Sequence, residues 1–262
     1  MDDSIRDTTQ LLDLAMLEAG LAPLTFGHPL IYHPALDSTN STAMELARQG
    51  AAEGMLVTTD DQTAGRGRLG RAWQSLANEQ LALSLVLHPS FPPHFLVMAS
   101  ALAVAEAIEV ITGLRPDIKW PNDVLIGGRK VCGILIETSE TNAVLGIGIN
   151  VNGAFTGNPE LAARATTLAE ALGHPLAREP LFIELIRRLN NLYAALTSGG
   201  EQARRLLRES WRARLVTLGQ RITIQQGDHA ITGIAEDVDE SGALILAVDD
   251  GTRQTITWGD VE

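Results

Sequence analysis

Cysteine is almost absent: a single Cys132 in 262 residues excludes a disulfide framework within the chain. The six histidines are scattered, without Cys or His partners at ligand spacing, so no structural zinc site is spelled out. Basic residues are in deficit, 20 against 32 acidic ones. The net charge of −12 would repel a phosphate backbone or an anionic membrane over most of the surface. The amino terminus is acidic and lacks the apolar core of a secretory signal, so the expected compartment is the reducing cytoplasm. A clean membrane span is missing too. His94 to Ile111 is apolar on nearly every side but is interrupted by Ser100, Glu106 and Glu109, which predicts a helix buried against a sheet. Before His28 the sole basic residue is Arg6, so no helix-turn-helix with a basic second helix is expected.

The positive charge that the chain does have is concentrated in one place. Asp60-Asp61-Gln62-Thr63-Ala64-Gly65-Arg66-Gly67-Arg68-Leu69-Gly70-Arg71 ends with three glycines and three arginines in seven residues, shortly after the apolar run Met55-Leu56-Val57. Glycine lets backbone approach a ligand closely, and arginine supplies a permanent charge on a planar fork of donors. At the end of a strand the two make a cradle for a small anion. Gly65-x-Gly67-x-x-Gly70 also matches the dinucleotide fingerprint, but that motif needs a helix at the loop and an acid about 20 residues on. Here Leu81 to Leu87 follows and reads as a strand. A P-loop is excluded because no Gly-Lys-Ser/Thr closes the pattern. The plain alternative is a solvated basic hairpin tip.

Around this loop, Thr8 to Ala19 shows helical spacing, stopped by Gly20 and Pro23. Ile31 to Leu36 predicts a short strand. Asp37 to Thr42 is a run of capping residues before Ala43 to Ala47, with Thr42 and Glu45 fitting a capping box and Gly50 ending the helix. A routine cap explains one or two of these side chains; the others could serve a polar ligand at a positive helix end. Ile118 to Ile126 and Arg129 to Glu137 predict two strands joined by a Gly127-Gly128 turn, and a hairpin requires neither Lys119 and Lys130 in its strands nor Asn122 and Asp123 between them. Ala143 to Val151 reads as a buried strand whose Gly146 and Gly148 clear one face for a close neighbour. Asn152 to Ala165 looks like a long loop. Thr166 to Gly173 follows as a short capped helix, then helices over Pro180 to Leu196 and Glu201 to Arg214. After Val216 the texture changes to four short β-patterned runs, a small SH3-like barrel. The chain is therefore expected to combine helices and strands with a boundary near Leu215, residues 1–214 opening with a helical extension over 1–24 and residues 215–262 forming the barrel.

Ser38-Thr39-Asn40, Gln62 through Arg71, Lys119-Trp120-Pro121-Asn122-Asp123, Lys130 with Gly133, and Gly148-Ile149-Asn150 resemble, in this order, the motifs of biotin protein ligases. The resemblance runs from about Ile31 to the C-terminus. It is nearest to the monofunctional kind, since the ligase-repressors carry a winged-helix domain for which this chain has no room. Leu69 departs from members that have a further arginine there, which lowers the loop's charge.

The resemblance implies an α+β fold of the class II synthetase type, with residues 1–214 its mixed-sheet catalytic domain, and a two-step reaction with biotin and ATP as substrates and Mg2+ carried in with ATP. The biotin carboxylate attacks the α-phosphate to give biotinyl-adenylate, and a lysine of a biotin carboxyl carrier protein then takes the biotinyl group. It further implies that Ser38, Thr39, Asn40 and Gln62 bind biotin and that Gly65 and Gly133 allow its close approach. Arg66 and Lys130 would face the carboxylate and α-phosphate, with Lys119 and Asp123 also catalytic, Asp123 orienting either a lysine or the magnesium ion. Arg68, Arg71, Trp73, Asn122 and Asn150 would hold the nucleotide. No resident metal, nucleic acid or membrane is expected, and members are often homodimers. The runner-up is a lipoate or octanoate ligase of the same fold. Fixed cations suit such chemistry because two anions must meet and charge spreads at phosphorus, with no nucleophilic Ser or Cys required.

Overall fold

The computed structural model describes residues 11–139 and 142–261. Its centre is a seven-stranded mixed sheet in the order β1-β2-β3-β7-β6-β5-β4, with β1 (Leu30–Leu36) parallel to β2 (Leu56–Gln62) and the other neighbours antiparallel. Of the middle strands, β3 (Gln80–Leu87) is buried along its whole length, which is why it reads as a continuous apolar run, while β7 (Asn142–Asn150) and still more β6 (Arg129–Ser139) are partly open. Period-two alternation sorts the side chains of β3. Leu81, Leu83 and Leu85 enter the large core with helices α3 (His94–Thr112) and α6 (Arg178–Ser198). Val86 faces the opposite way, joining Ala43, Met44 and Ala47 of α2 (Thr39–Arg48). Helix α3 is long and apolar enough to cross a membrane, yet 67% of its most apolar window is buried inside the protein. It is a core helix, as the sequence pattern predicts.

Several local expectations change. The first helix, α1, is Leu14–Leu21, beginning after an Asp13 cap, and the predicted start at Thr8 lies outside the described residues. It runs through Gly20 instead of stopping there, because Gly20 is a packing residue: an added Cβ would collide with the Ile183 side chain on α6. Helix α2 starts three residues before the anticipated Thr42 cap, with Ser38 as N-cap and its side chain accepting from the Ser41 amide. The strand predicted over Ile118 to Ile126 is two, β4 (Asp117–Lys119) and β5 (Asp123–Ile126), separated at Trp120-Pro121-Asn122. Proline there removes a ladder donor and ends the strand. The long loop after Asn152 contains α4 (Pro159–Arg164), capped by Asn158. The short helix α5 (Leu168–Leu172) has the Thr167–Glu170 capping box, and α7 spans Gly200–Arg212.

The C-terminal segment forms a five-stranded antiparallel sheet, β11-β10-β9-β8-β12, one strand more than its pattern suggested. The strands are β8 (Arg221–Gln226), β9 (His229–Val238), β10 (Leu244–Val248), β11 (Arg253–Ile256) and the two-residue β12 (Asp260–Val261). It is fastened to the larger sheet through Trp120, whose amide donates to Thr217 Oγ1 at 2.9 Å and whose indole donates to the Gly242 carbonyl at 2.9 Å. This attachment brings the chain's last strand to the arginine loop.

Candidate active site

The arginine loop is itself a small hairpin. Arg66 bridges Ala72, and the Gly67 amide donates to the Arg71 carbonyl at 2.7 Å. The tip is turned by Leu69 and Gly70, both left-handed at φ 55° and 74°. Leu69, Gly70 and Arg71 at the tip are exposed, but the loop's arginines are tied to other parts of the protein. The loop lies against the face of β6 and β7, closing one side of a cleft that encloses about 780 Å3 including its open mouth.

Glycines make the cleft's floor. Gly133 on β6 pairs with Gly148 on β7, and Trp73 packs flat into the space they leave. A Cβ would lie 2.9 Å from Trp73 Cζ3 at Gly133 and 2.7 Å from Trp73 Cε2 at Gly148. Trp73 Nε1 donates to Gln80 Oε1 at 3.2 Å, which fixes the ring's orientation. Below it, Arg178 Nη1 donates to the Gln80 carbonyl at 3.0 Å and Arg178 Nη2 meets Asp60 Oδ1 at 2.6 Å in a fully buried ion pair.

The opposite wall is the start of α2. The Thr39 amide and hydroxyl both donate to Gln62 Oε1, at 2.9 and 3.2 Å, so the helix end is tied to the end of β2. Ser38, Thr39 and Asn40 are all buried, at a helix terminus that favours negative or polar ligands. Gly146 leaves the room that Asn40 occupies.

Every cation of the cleft has a partner on the protein. Lys130 Nζ is 2.6 Å from Asp123 Oδ1 and 5.6 Å from the Trp73 ring centroid. Arg66 Nη2 is 2.5 Å from Glu137 Oε2, and Arg71 Nη2 is 2.7 Å from Asp260 Oδ2. Arg68 donates to Asn122 Oδ1 at 2.9 Å and to the Gly259 carbonyl at 3.4 Å. Burial lowers the Arg68 guanidinium from its ordinary pKa, while the Asp260 and Asp123 carboxylates oppose that shift. Cys132 is fully buried, and burial pushes its thiol well up, so it serves as a small apolar residue and not as a nucleophile. Among the described residues no three His, Cys, Asp or Glu side chains cluster to hold a metal.

Of the residues predicted from sequence, Ser38, Thr39, Asn40, Gln62, Arg66, Arg68, Arg71, Trp73, Asn122, Asp123, Lys130 and Gly133 line this one cleft. Three do not. Gly65 lies behind Trp73, where a Cβ would be 2.7 Å from the Trp73 carbonyl oxygen. Lys119 Nζ reaches the Val261 carbonyl at 2.7 Å, and Asn150 Nδ2 donates to the Thr166 carbonyl at 3.1 Å. Sequence reasoning missed Glu137 and Asp260. Glu137 was detectable, since alternation along β6 puts residues 133, 135 and 137 on one face. Nothing near Asp260 announces that its strand returns to the arginine loop.

Residues 32–153 match the model of the biotin/lipoate A/B protein ligase family, and residues 217–262 that of the biotin protein ligase C terminal domain. The chain is 36% identical over 253 residues to the bifunctional ligase/repressor BirA of Bacillus subtilis, covering 93% of this chain and 76% of that protein. It is 36% identical over 237 residues to the biotin--[acetyl-CoA-carboxylase] ligase of Paracoccus denitrificans, covering 86% of this chain and 96% of that one. Among solved structures, the biotin protein ligase of Aquifex aeolicus in complex with biotin and ATP superposes with a TM-score of 0.78 at 31% identity, over 89% of this chain and 97% of that one. With the ordered motifs gathered on one cleft and both parts of the chain matched, this protein belongs to the biotin protein ligase family.

Proposed function

We propose that the chain activates biotin as biotinyl-5′-AMP and transfers the biotinyl group to a lysine of a biotin carboxyl carrier protein. The observation that carries this reading is the convergence of Arg66, Arg68, Arg71 and Lys130 on one cleft whose far wall is the polar start of α2. In the first step a carboxylate oxygen of biotin bonds to the α-phosphorus of ATP as the bond to the β-phosphate oxygen breaks, and pyrophosphate leaves. In the second the neutral lysine amine attacks the acyl carbon, AMP leaves with the bonding pair, and the amine loses its proton. Both steps build negative charge on oxygen, and prepositioned cations stabilise that charge without reorganising.

In this reading Ser38, Thr39, Asn40 and Gln62 face the ureido ring, and Arg66 and Lys130 face the carboxylate and α-phosphate. Gly133 permits close approach. Arg68, Arg71, Trp73 and Asn122 take the nucleotide, with Asn150 supporting the wall beside it. Lys119, joined to Val261, and Gly65, behind Trp73, act by fixing the cleft's shape. Mg2+ arrives with ATP; Asp123 and Asp260 are the carboxylates lining the cleft, and each is already paired with a cation. Residues 1–214 would form the catalytic domain and 215–262 the C-terminal one. A homodimer and a cytoplasmic location belong to the same reading, while a net charge of −12 supports no role in binding nucleic acid.

Exchange of radiolabelled pyrophosphate into ATP, with biotin, lipoate or RNA added in turn, tests the proposal. Biotin alone should drive exchange. Exchange driven by lipoate would move the chain to the lipoate branch, and retention of RNA without exchange would favour a nucleic-acid role for the arginine loop.

A further inference from the structure

Glu137 has no part in the reading above, and its surroundings give it one. Its Oε2 accepts from two sides at once, from Arg66 Nη2 at 2.5 Å and from Asn40 Nδ2 at 2.9 Å. Behind Asn40, the amide oxygen accepts from Ser84 Oγ at 2.6 Å, and Ser84 is completely buried on β3. Asn40 is itself pressed against Gly146, where any Cβ would overlap its side chain. The Ser84 end of this chain of bonds is therefore fixed in the sheet. At the other end Arg66, 44% exposed on a hairpin loop, is held through Glu137.

A carboxylate beside a cleft for anions lowers the local positive potential, and an ion pair this exposed contributes little to stability. Its value is in aim. A guanidinium has five N–H donors in a rigid fork, so one oxygen can orient it and leave other donors for a substrate carboxylate. Resting on the assignment of Arg66 to the biotin carboxylate, we infer that Glu137 is a positioning residue: it sets the direction of Arg66 and latches the arginine loop to Asn40 at the wall proposed for the biotin ring. Removing it leaves Arg66 present but unaimed.

The test compares the full chain with Glu137→Ala, Glu137→Gln, Arg66→Ala and Arg66→Ala/Glu137→Ala in biotin-dependent pyrophosphate exchange. Glu137→Ala should raise the KM for biotin about tenfold, the scale of a lost charge-assisted hydrogen bond, with the KM for ATP little changed. Glu137→Gln keeps an oxygen for both donors and should fall between, and it decides the matter should the alanine variant fail to fold. In the Arg66→Ala background, Glu137→Ala should have no further effect, whereas a merely structural residue would give the same fold-change in both backgrounds. Equal effects in the two backgrounds, an unchanged KM, or a lowered KM for biotin would each overturn the inference. The lowered KM would make Glu137 a placeholder that substrate displaces. Exchange in the unmodified chain, with Glu137→Ala indistinguishable from it, removes this inference alone. No biotin-dependent exchange in the unmodified chain removes the functional reading and the inference with it.

Discussion

The ammonium of Lys130 is held 2.6 Å from Asp123 Oδ1, across the β5–β6 pairing, so its charge has a defined place before substrate arrives. A cation fixed in this way stabilises charge developing between carboxylate and α-phosphate without first being reoriented. Lys130→Ala should slow adenylate formation by about a hundredfold or more, the scale of one lost charge-stabilising donor. Single-turnover synthesis with saturating biotin and ATP reads this, and a rate within a few-fold of the unmodified chain would show that the lysine acts elsewhere.

Arg68 is placed differently. Its guanidinium joins the hairpin loop to Asn122 and to the Gly259 carbonyl of the C-terminal segment, closing the loop over the cleft. Arg68→Gly removes this clamp and adds backbone freedom, so adenylate synthesis should persist while the product escapes. Indiscriminate biotinylation of an added bystander protein measures the escape. Blocked synthesis in Arg68→Gly together with leakage in Lys130→Ala would reverse the two roles.

Gly148 is needed for space and not for backbone conformation, because it is not among the positive-φ glycines while Trp73 lies against it. Gly148→Ala should displace the indole and weaken nucleotide binding about tenfold or more, within the usual cost of overpacking a tight contact. Titration with ATP followed by tryptophan fluorescence checks this. Unchanged affinity would mean that the ring is free to move without consequence for the nucleotide.

Legibility in the sequence followed locality. Leu81 to Leu87, His94 to Ile111 and Pro180 to Leu196 declare their elements because burial on their own faces decides them. Ser38 and Thr42 are equally competent caps by local chemistry, and the packing of Ala43, Met44 and Ala47 on the sheet chooses between them. Gly20 stops nothing because Ile183, far along the chain, needs its missing Cβ. The same division holds in the cleft. Its cations are visible as a dense local run, but the Arg66–Glu137 pair spans 71 positions, and only the folded topology brings the two together.

The Arg178–Asp60 pair, 4% and 0% exposed, supports the cleft from beneath through Gln80. Asp60 Oδ2 also accepts from Tyr32 Oη at 2.7 Å, and burial with this carboxylate pushes the tyrosine up to about 12. Asp60→Ala removes the buried carboxylate that accepts from both Arg178 and Tyr32, at a cost of about 3–5 kcal/mol. Urea denaturation followed by circular dichroism measures it, and a loss below about 1 kcal/mol, the scale of an exposed pair, would contradict the assignment.

If the cleft joins biotin to AMP, the acyl-adenylate accumulates when no carrier protein is present to consume it. The direct measurement is to mix the chain with biotin and ATP labelled in the α-phosphate, without carrier protein, quench in acid and identify the labelled products. Biotinyl-5′-AMP should form in amounts stoichiometric with the chain, be absent without biotin and be strongly reduced in Lys130→Ala. Labelled AMP or ADP formed equally with and without biotin, and no acyl-adenylate, would contradict this.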